Sequence, residues 1–111
     1  MARFIKDDVV VLNFPFSDLT RTKRRPALVI TALTGDDVIL CQITSQVKFD
    51  SYAIKLDNTD FESGGLNQSS RIRPNRLFTA DAGIILYSIG RISDAKLLEV
   101  VDRLIAMLGQ D

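Results

Sequence analysis

The chain has 111 residues, 46% of them hydrophobic and 25% charged, with zero formal net charge; this fits one soluble globular domain over 1–111 and excludes a disordered chain. No apolar run approaches the roughly 20 residues that cross a bilayer, so no membrane association is expected. A single cysteine, Cys41, excludes an internal disulfide and a thiolate zinc cluster, and the absence of histidine removes the usual general base and the commonest metal ligand.

The first residues, Met1 to Asp8, lack the apolar core of a signal peptide, which points to a cytoplasmic protein. Val9 to Phe14 is β-branched and apolar and ends at Pro15, so it reads as a first strand. Ser17 to Arg25 reads as a polar, cationic loop, in which Arg21, Lys23, Arg24 and Arg25 crowd into five residues. Ala27 to Thr31 is a second strand, Thr34 to Asp37 a turn and Val38 to Thr44 a third strand, so strands two and three form a hairpin. Tyr52 to Leu56 is a shorter, alternating strand with one wet face, and Asp57 to Gln68 is an acidic loop containing Gly64-Gly65. Ser70 to Thr79 is strand-like, with Pro74 requiring an edge or a bulge. Ile84 to Leu86 and Ser88 to Ile92 are short extended pieces. A helix closes the chain: Ser93 caps it and Asp94 complements its dipole. Leu97, Leu98, Val101, Leu104, Ile105 and Leu108 form one stripe, and Gly109 stops it. The fold class is mainly β with one α-helix. The first three strands are apolar at consecutive positions, so both sheet faces are covered. The helix covers part of one face and a partner subunit is the economical cover for the rest; a monomeric mass at micromolar concentration would refute this.

Catalysis in such a chain must run on Arg, Lys, Asp, Glu, Ser, Thr, Tyr or Cys41. The basic run is either a solvated charged turn or a phosphate grip. Arg25 stands out within it, because Pro26 restricts its backbone and Arg suits bidentate phosphate contact. Thr44-Ser45 ends the third strand; the hydroxyls either bond their own backbone or, in an antiparallel sheet, bring Thr44 opposite Arg25. Arg71, Arg73 and Arg76 form a looser set, Arg71 and Arg73 sharing a face. They either contact RNA or pair with Asp57, Asp60 or Glu62. Gly64-Gly65 lacks a phosphate-loop context, and Cys41 lies inside an apolar strand and reads as buried and inert.

Three strings now converge: Asp8-Val9-Val10-Val11-Leu12-Asn13-Phe14-Pro15-Phe16-Ser17-Asp18, Lys23-Arg24-Arg25-Pro26-Ala27-Leu28-Val29, and Ile43-Thr44-Ser45-Gln46. In that order and spacing they resemble the MazF/PemK toxins of type II toxin–antitoxin systems. Arg76 to Thr79, Gly90 to Ser93 and the terminal helix look like the second half of the same family. The resemblance implies an SH3-like, partly open barrel of antiparallel strands with a C-terminal amphipathic helix, usually a homodimer. It implies an endoribonuclease for single-stranded RNA that needs no metal or cofactor, and an antitoxin whose flexible tail occupies the RNA groove. Arg25 matches the family's catalytic arginine and Thr44 its catalytic threonine. Arg21, Lys23, Arg24, Ser45, Gln46, Lys48, Arg71 and Arg73 are then the RNA-binding candidates. Two positions depart from the pattern: Asp7 stands where many relatives have glycine before the first strand, and Thr20-Arg21-Thr22 replaces a glycine-containing loop.

The reaction implied is attack of a ribose 2′-hydroxyl on its own 3′-phosphate, leaving a 2′,3′-cyclic phosphate and a free 5′-hydroxyl. The nucleophile belongs to the substrate, so the protein need supply mainly charge stabilisation: two donors from Arg25 and one from Thr44. Arginine, with a pKa above about 12, is a poor general base; Asp18 and Glu62 are alternatives. Phe16, Phe49 and Tyr52 are candidates to stack on unpaired bases. The alternative function is a CcdB-like gyrase poison, against which stands a C-terminus, Met107 to Asp111, without tryptophan.

Overall fold

Four successive residues, Val9 to Leu12, are all buried, which a strand achieves only where both of its faces are covered. The computed structural model describes residues 4–15, 22–46 and 49–110. Seven strands run in chain order: β1 (Asp8–Pro15), β2 (Thr22–Ala32), β3 (Asp37–Thr44), β4 (Ile54–Leu56), β5 (Phe61–Gly64), β6 (Ser70–Asp81) and β7 (Ile85–Ile92). Short 3₁₀ turns at Asn58–Asp60 and Ala82–Ile84 precede β5 and β7, and a helix, α1 (Asp94–Leu108), closes the order. The strands form one antiparallel sheet in the order β4-β6-β3-β2-β1-β7-β5, curled into a half-barrel.

Strand alternation sorts the apolar residues into two cores. One lies under α1 and gathers Val9, Leu28, Cys41, Ile43, Ile54, Leu56, Ile72 and Ile92 against Leu97, Val100 and Leu104. The other lies on the opposite face, where Val10, Leu12, Ala27, Val29, Val38, Leu40 and Ile85 are covered in part by Phe4, Phe14 and Phe78. Phe14 and Phe78 meet edge to face with ring centroids 5.0 Å apart.

The helix begins as expected, with the Ser93 hydroxyl accepting the Lys96 backbone N–H at 3.2 Å, and Gly109 ends it. Its apolar residues do not form one buried stripe. Leu97, Val100 and Leu104 face the core, with Val101 half-buried, whereas Leu98, Ile105 and Leu108 are exposed. The buried face is turned toward Val100, which lies outside the expected stripe, so Leu98 and Ile105 on the stripe's other side are left outward.

Three further expectations are corrected. Lys23, Arg24 and Arg25 are not in a loop: they extend β2 and pair with Phe14, Asn13 and Leu12. The expected loop 57–68 contains a 3₁₀ turn and β5. Here Gly64 adopts φ 69 and packs so closely on β7 that a Cβ would meet the Gly90 Cα at 2.6 Å. The two extended pieces after Ile84 are one strand, β7, bent by register shifts against β1. Pro74 does sit at a bulge: Cys41 pairs with Leu77 and Gln42 with Arg73, so 74–76 have no partner in β3.

Asp7 adopts φ 70, the left-handed region that favours glycine, at the position where the resemblance leads one to expect glycine. Its carboxylate is held by Arg91, with Nη2 at 3.0 Å and Nε at 3.1 Å. Its backbone donates to the Val29 carbonyl and accepts from Ile92, tying β1 to β2 and β7.

Candidate active site

The β2–β3 hairpin sets the geometry. Its regular register runs from Leu28 opposite Cys41 to Ala27 opposite Gln42. Pro26 has no N–H to give, and the ladder ends one residue before it. Continuing that register brings Arg25 opposite Thr44. On the far side of β3, Thr44 pairs with Arg71, and on the far side of β6, Arg71 pairs with Lys55. Ile43, Ile54, Leu56 and Ile72 all point to the helix. By alternation, Arg25, Thr44, Arg71 and Lys55 therefore share the other face, in one row across four strands. Three strand spacings of about 4.8 Å make that row roughly 14 Å long.

Beside the row lies an open pocket of about 110 Å³ lined by Thr44, Gln46, Phe49, Asp50, Ala53, Arg71 and Arg73. Thr44 Oγ1 accepts the Gln46 backbone N–H at 3.1 Å. That bond occupies a lone pair and leaves the hydroxyl proton available to another acceptor. Arg71 Nη1 donates to the Gln46 carbonyl in a long contact of 3.5 Å. Among the described residues no carboxylate pairs with Arg71.

Arg73 is differently placed. Its Nε donates to Asp50 Oδ2 at 3.0 Å, and both side chains are largely buried. Burial by itself would raise the Asp50 carboxyl. The Tyr52 backbone N–H, the Arg73 guanidinium and the Asn75 side chain outweigh it and hold the carboxyl below the ordinary value. The loop carrying Asp50 is anchored to α1 and to the residues just after it: Arg103 Nη1 donates to the Tyr52 carbonyl at 3.1 Å, and Gln110 Nε2, beyond the helix, to the Tyr52 hydroxyl at 2.9 Å.

A family model for the PemK-like, MazF-like toxin of type II toxin-antitoxin systems matches residues 6–108. The chain belongs to the PemK/MazF toxin family. No curated protein sequence matches it. Among solved structures it is similar to MazF from Deinococcus radiodurans, at 22% identity and TM-score 0.75, over 99% of this chain and 100% of that one. It is similar to an endoribonuclease in complex with its cognate antitoxin from a mycobacterial species, at 12% identity and TM-score 0.77, over 98% of each chain. It also resembles the Mycobacterium tuberculosis toxin MazF-mt6, at 17% identity and TM-score 0.68, over 92% of this chain and 98% of that one.

Within this PemK/MazF chain, the sequence-read site residues separate. Thr44, Gln46, Arg71 and Arg73 meet at the pocket, and Ser45 is exposed between Thr44 and Gln46. Arg25 lies two residues beyond the last β2–β3 pair, with Lys23 and Arg24 exposed further along β2. Arg21, Lys48, Asp18 and Phe16 lie outside the described residues. Arg76 falls in the β6 bulge and does not line the pocket. Glu62 lies on β5, which pairs with β7, and its carboxylate acts on Arg91; it does not line the Thr44 pocket. Neither arginine takes the expected partners Asp57, Asp60 or Glu62: Arg73 pairs with Asp50. Tyr52 is half-buried, and its hydroxyl accepts from Gln110 Nε2. Burial pushes the Cys41 thiol up to about 12, well away from a reactive thiolate.

Asp50 and Lys55 were missed in the sequence. An alternating β4 makes Lys55 a solvent-facing residue, but only pairing with β6 puts it in the Arg71 row. Among the described residues no helix is long and apolar enough to cross a membrane.

Proposed function

We propose that this chain is an endoribonuclease toxin that cleaves single-stranded RNA without a metal, acts in the cytoplasm as a homodimer and is neutralised by a cognate antitoxin. The observation that carries the reading is on the helix-free face: Thr44 of β3 pairs with Arg71 of β6, and the β2–β3 register, extended two residues past its last pair, would set Arg25 against Thr44. The family and its endoribonuclease relative, solved with a cognate antitoxin, support the activity and the partner.

The substrate's 2′-oxygen attacks its own 3′-phosphorus, the bond to the 5′-oxygen breaks, and the 2′-proton leaves the nucleophile as the 5′-oxygen gains one. The products are a 2′,3′-cyclic phosphate and a 5′-hydroxyl. The crowded phosphorane carries extra negative charge on its non-bridging oxygens. Arg25 offers a guanidinium to these oxygens, and the Thr44 hydroxyl, already accepting from Gln46, donates its proton to one of them. Such fixed donors stabilise the transition state more than the ground state. Arginine is a poor proton acceptor, so the role assigned to Arg25 is electrostatic. By alternation Lys23 shares the face of Arg25 and Arg24 does not, so Lys23 and Lys55 then hold flanking phosphates, with salt-dependent affinity.

The test is to incubate pure protein with single-stranded RNA and a chelator and to analyse the new ends. Cyclic phosphate termini support the nuclease. Intact RNA overturns it, and stalled gyrase in the same preparation would then identify a CcdB-like poison. Neither effect would leave a barrel that only binds its regulator.

A further inference from the structure

The two neighbouring arginines of β6 differ in their available charge, and the loop beside them carries an aromatic ring in water. Phe49 is 96% exposed on the rim of the Thr44 pocket. Its neighbour Asp50 neutralises Arg73 at 3.0 Å, whereas Arg71 meets only a backbone carbonyl among the described residues. A neutralised guanidinium keeps its hydrogen-bond donors but loses most of its attraction for a phosphate. An unneutralised one keeps both.

Resting on the RNA-cleavage reading above, we propose that the pocket is divided into two subsites. Arg71, with Thr44, holds a phosphate. Phe49, with the Arg73–Asp50 pair, holds the neighbouring unpaired base. The base lies face-on to the Phe49 ring, and its edge meets a surface that offers donors from Arg73 and acceptor oxygens from Asp50 with little net charge. That combination suits a neutral, flat heterocycle with both donors and acceptors, and it is poorly suited to an anion. Phe49 and the Arg73–Asp50 pair are thus specificity determinants, and the anchoring of the Asp50–Tyr52 loop to α1 by Arg103 keeps them in register with Thr44.

The two subsites separate in a salt titration. The probe is a single-stranded 2′-O-methyl RNA oligonucleotide, which binds without being cleaved, titrated into wild type and variants from low to high salt. Phe49→Ala is expected to lose about 10- to 100-fold in affinity at every salt concentration with an unchanged log–log slope, and Phe49→Trp to restore it. Arg71→Ala is expected to flatten the slope by about 0.7, the loss of one phosphate contact on a single strand. Asp50→Asn keeps the oxygen that caps Tyr52 but frees the Arg73 charge; its slope should steepen and the base preference in cleavage of a randomised RNA should change. Unchanged affinity and an unchanged cleavage profile in Phe49→Ala would overturn the base subsite. So would a slope loss in Arg73→Ala equal to that in Arg71→Ala. Absence of any wild-type binding overturns the RNA reading itself, a result distinct from these.

Discussion

Two clusters of arginine and aspartate sit at different places on the same sheet. At the β1–β7 seam, Arg91 is held by Asp7 at 3.0 Å and approaches Asp8 at 3.7 Å. Its guanidinium is stabilised in the charged form, first by the hydrogen bond and charge of Asp7. Asp7 accepts a left-handed backbone there, and its main chain ties together three strands. At the β3–β6 end, Asp50 neutralises Arg73 and leaves Arg71 beside a threonine whose hydroxyl proton has no described acceptor. The first cluster closes on itself. The second keeps a cation, a hydroxyl and an exposed ring facing one pocket. Residue type does not separate the two clusters; what differs is that the first lines no part of the Thr44 pocket, whereas the second lines it.

That contrast breaks if chemistry fails to follow it. Arg25→Ala should lower single-turnover cleavage per folded molecule by 10²–10³ or more, about 3–4 kcal/mol, and Thr44→Ala should lose a similar factor. Arg91→Ala should retain the wild-type rate in molecules that remain folded by circular dichroism. Equal losses at Arg91 and Arg25 would erase the distinction. At the structural seam, Gly64→Ala should destabilise the fold by at least about 2 kcal/mol in denaturant titration, because a Cβ meets β7 backbone in a left-handed residue. A smaller effect comes from comparing Asp7→Ala with Asp7→Gly. Both lose Arg91, so their difference isolates the backbone, and the glycine variant should be the more stable by about 1–2 kcal/mol. Equal stabilities would mean that φ 70 carries no strain.

Much of this was legible in the sequence for a reason of distance along the chain. The β2–β3 hairpin is local, so the apolar runs, the turn at Gly35 and antiparallel pairing sufficed to find its register as far as Ala27 opposite Gln42. Arg71 and Arg73 were readable as sharing a face because strand alternation is local too. Their partners were not. Asp50 lies 23 residues from Arg73, and Lys55 reaches the Arg71 row only through β4–β6 pairing, which no local pattern announces. The basic run misled in the other direction: charge suggested a loop, but β1 continues to Pro15 and gives Thr22 to Arg25 a strand to pair with. The helix stripe misled because apolarity does not reveal which of two adjacent faces the sheet covers.

The finest test of the contrast is acid titration of the β3–β6 cluster. Asp50 has a folded pKa below its unfolded value, because its hydrogen bonds and Arg73 outweigh its burial. The folded state therefore binds a proton less readily than the unfolded chain. The stability this group contributes is fully present above the unfolded carboxylate value, near about 4, and is lost as pH falls through the lower folded value. Asp50→Asn cannot titrate, so its stability should fall less steeply than wild type across that acid window and run parallel to it above about pH 6. Urea unfolding at a series of pH values measures both limbs. Parallel curves throughout would mean that Asp50 is not held in its charged form by Arg73. The guanidinium would then be available to phosphate, and the two arginines of the pocket would be alike after all.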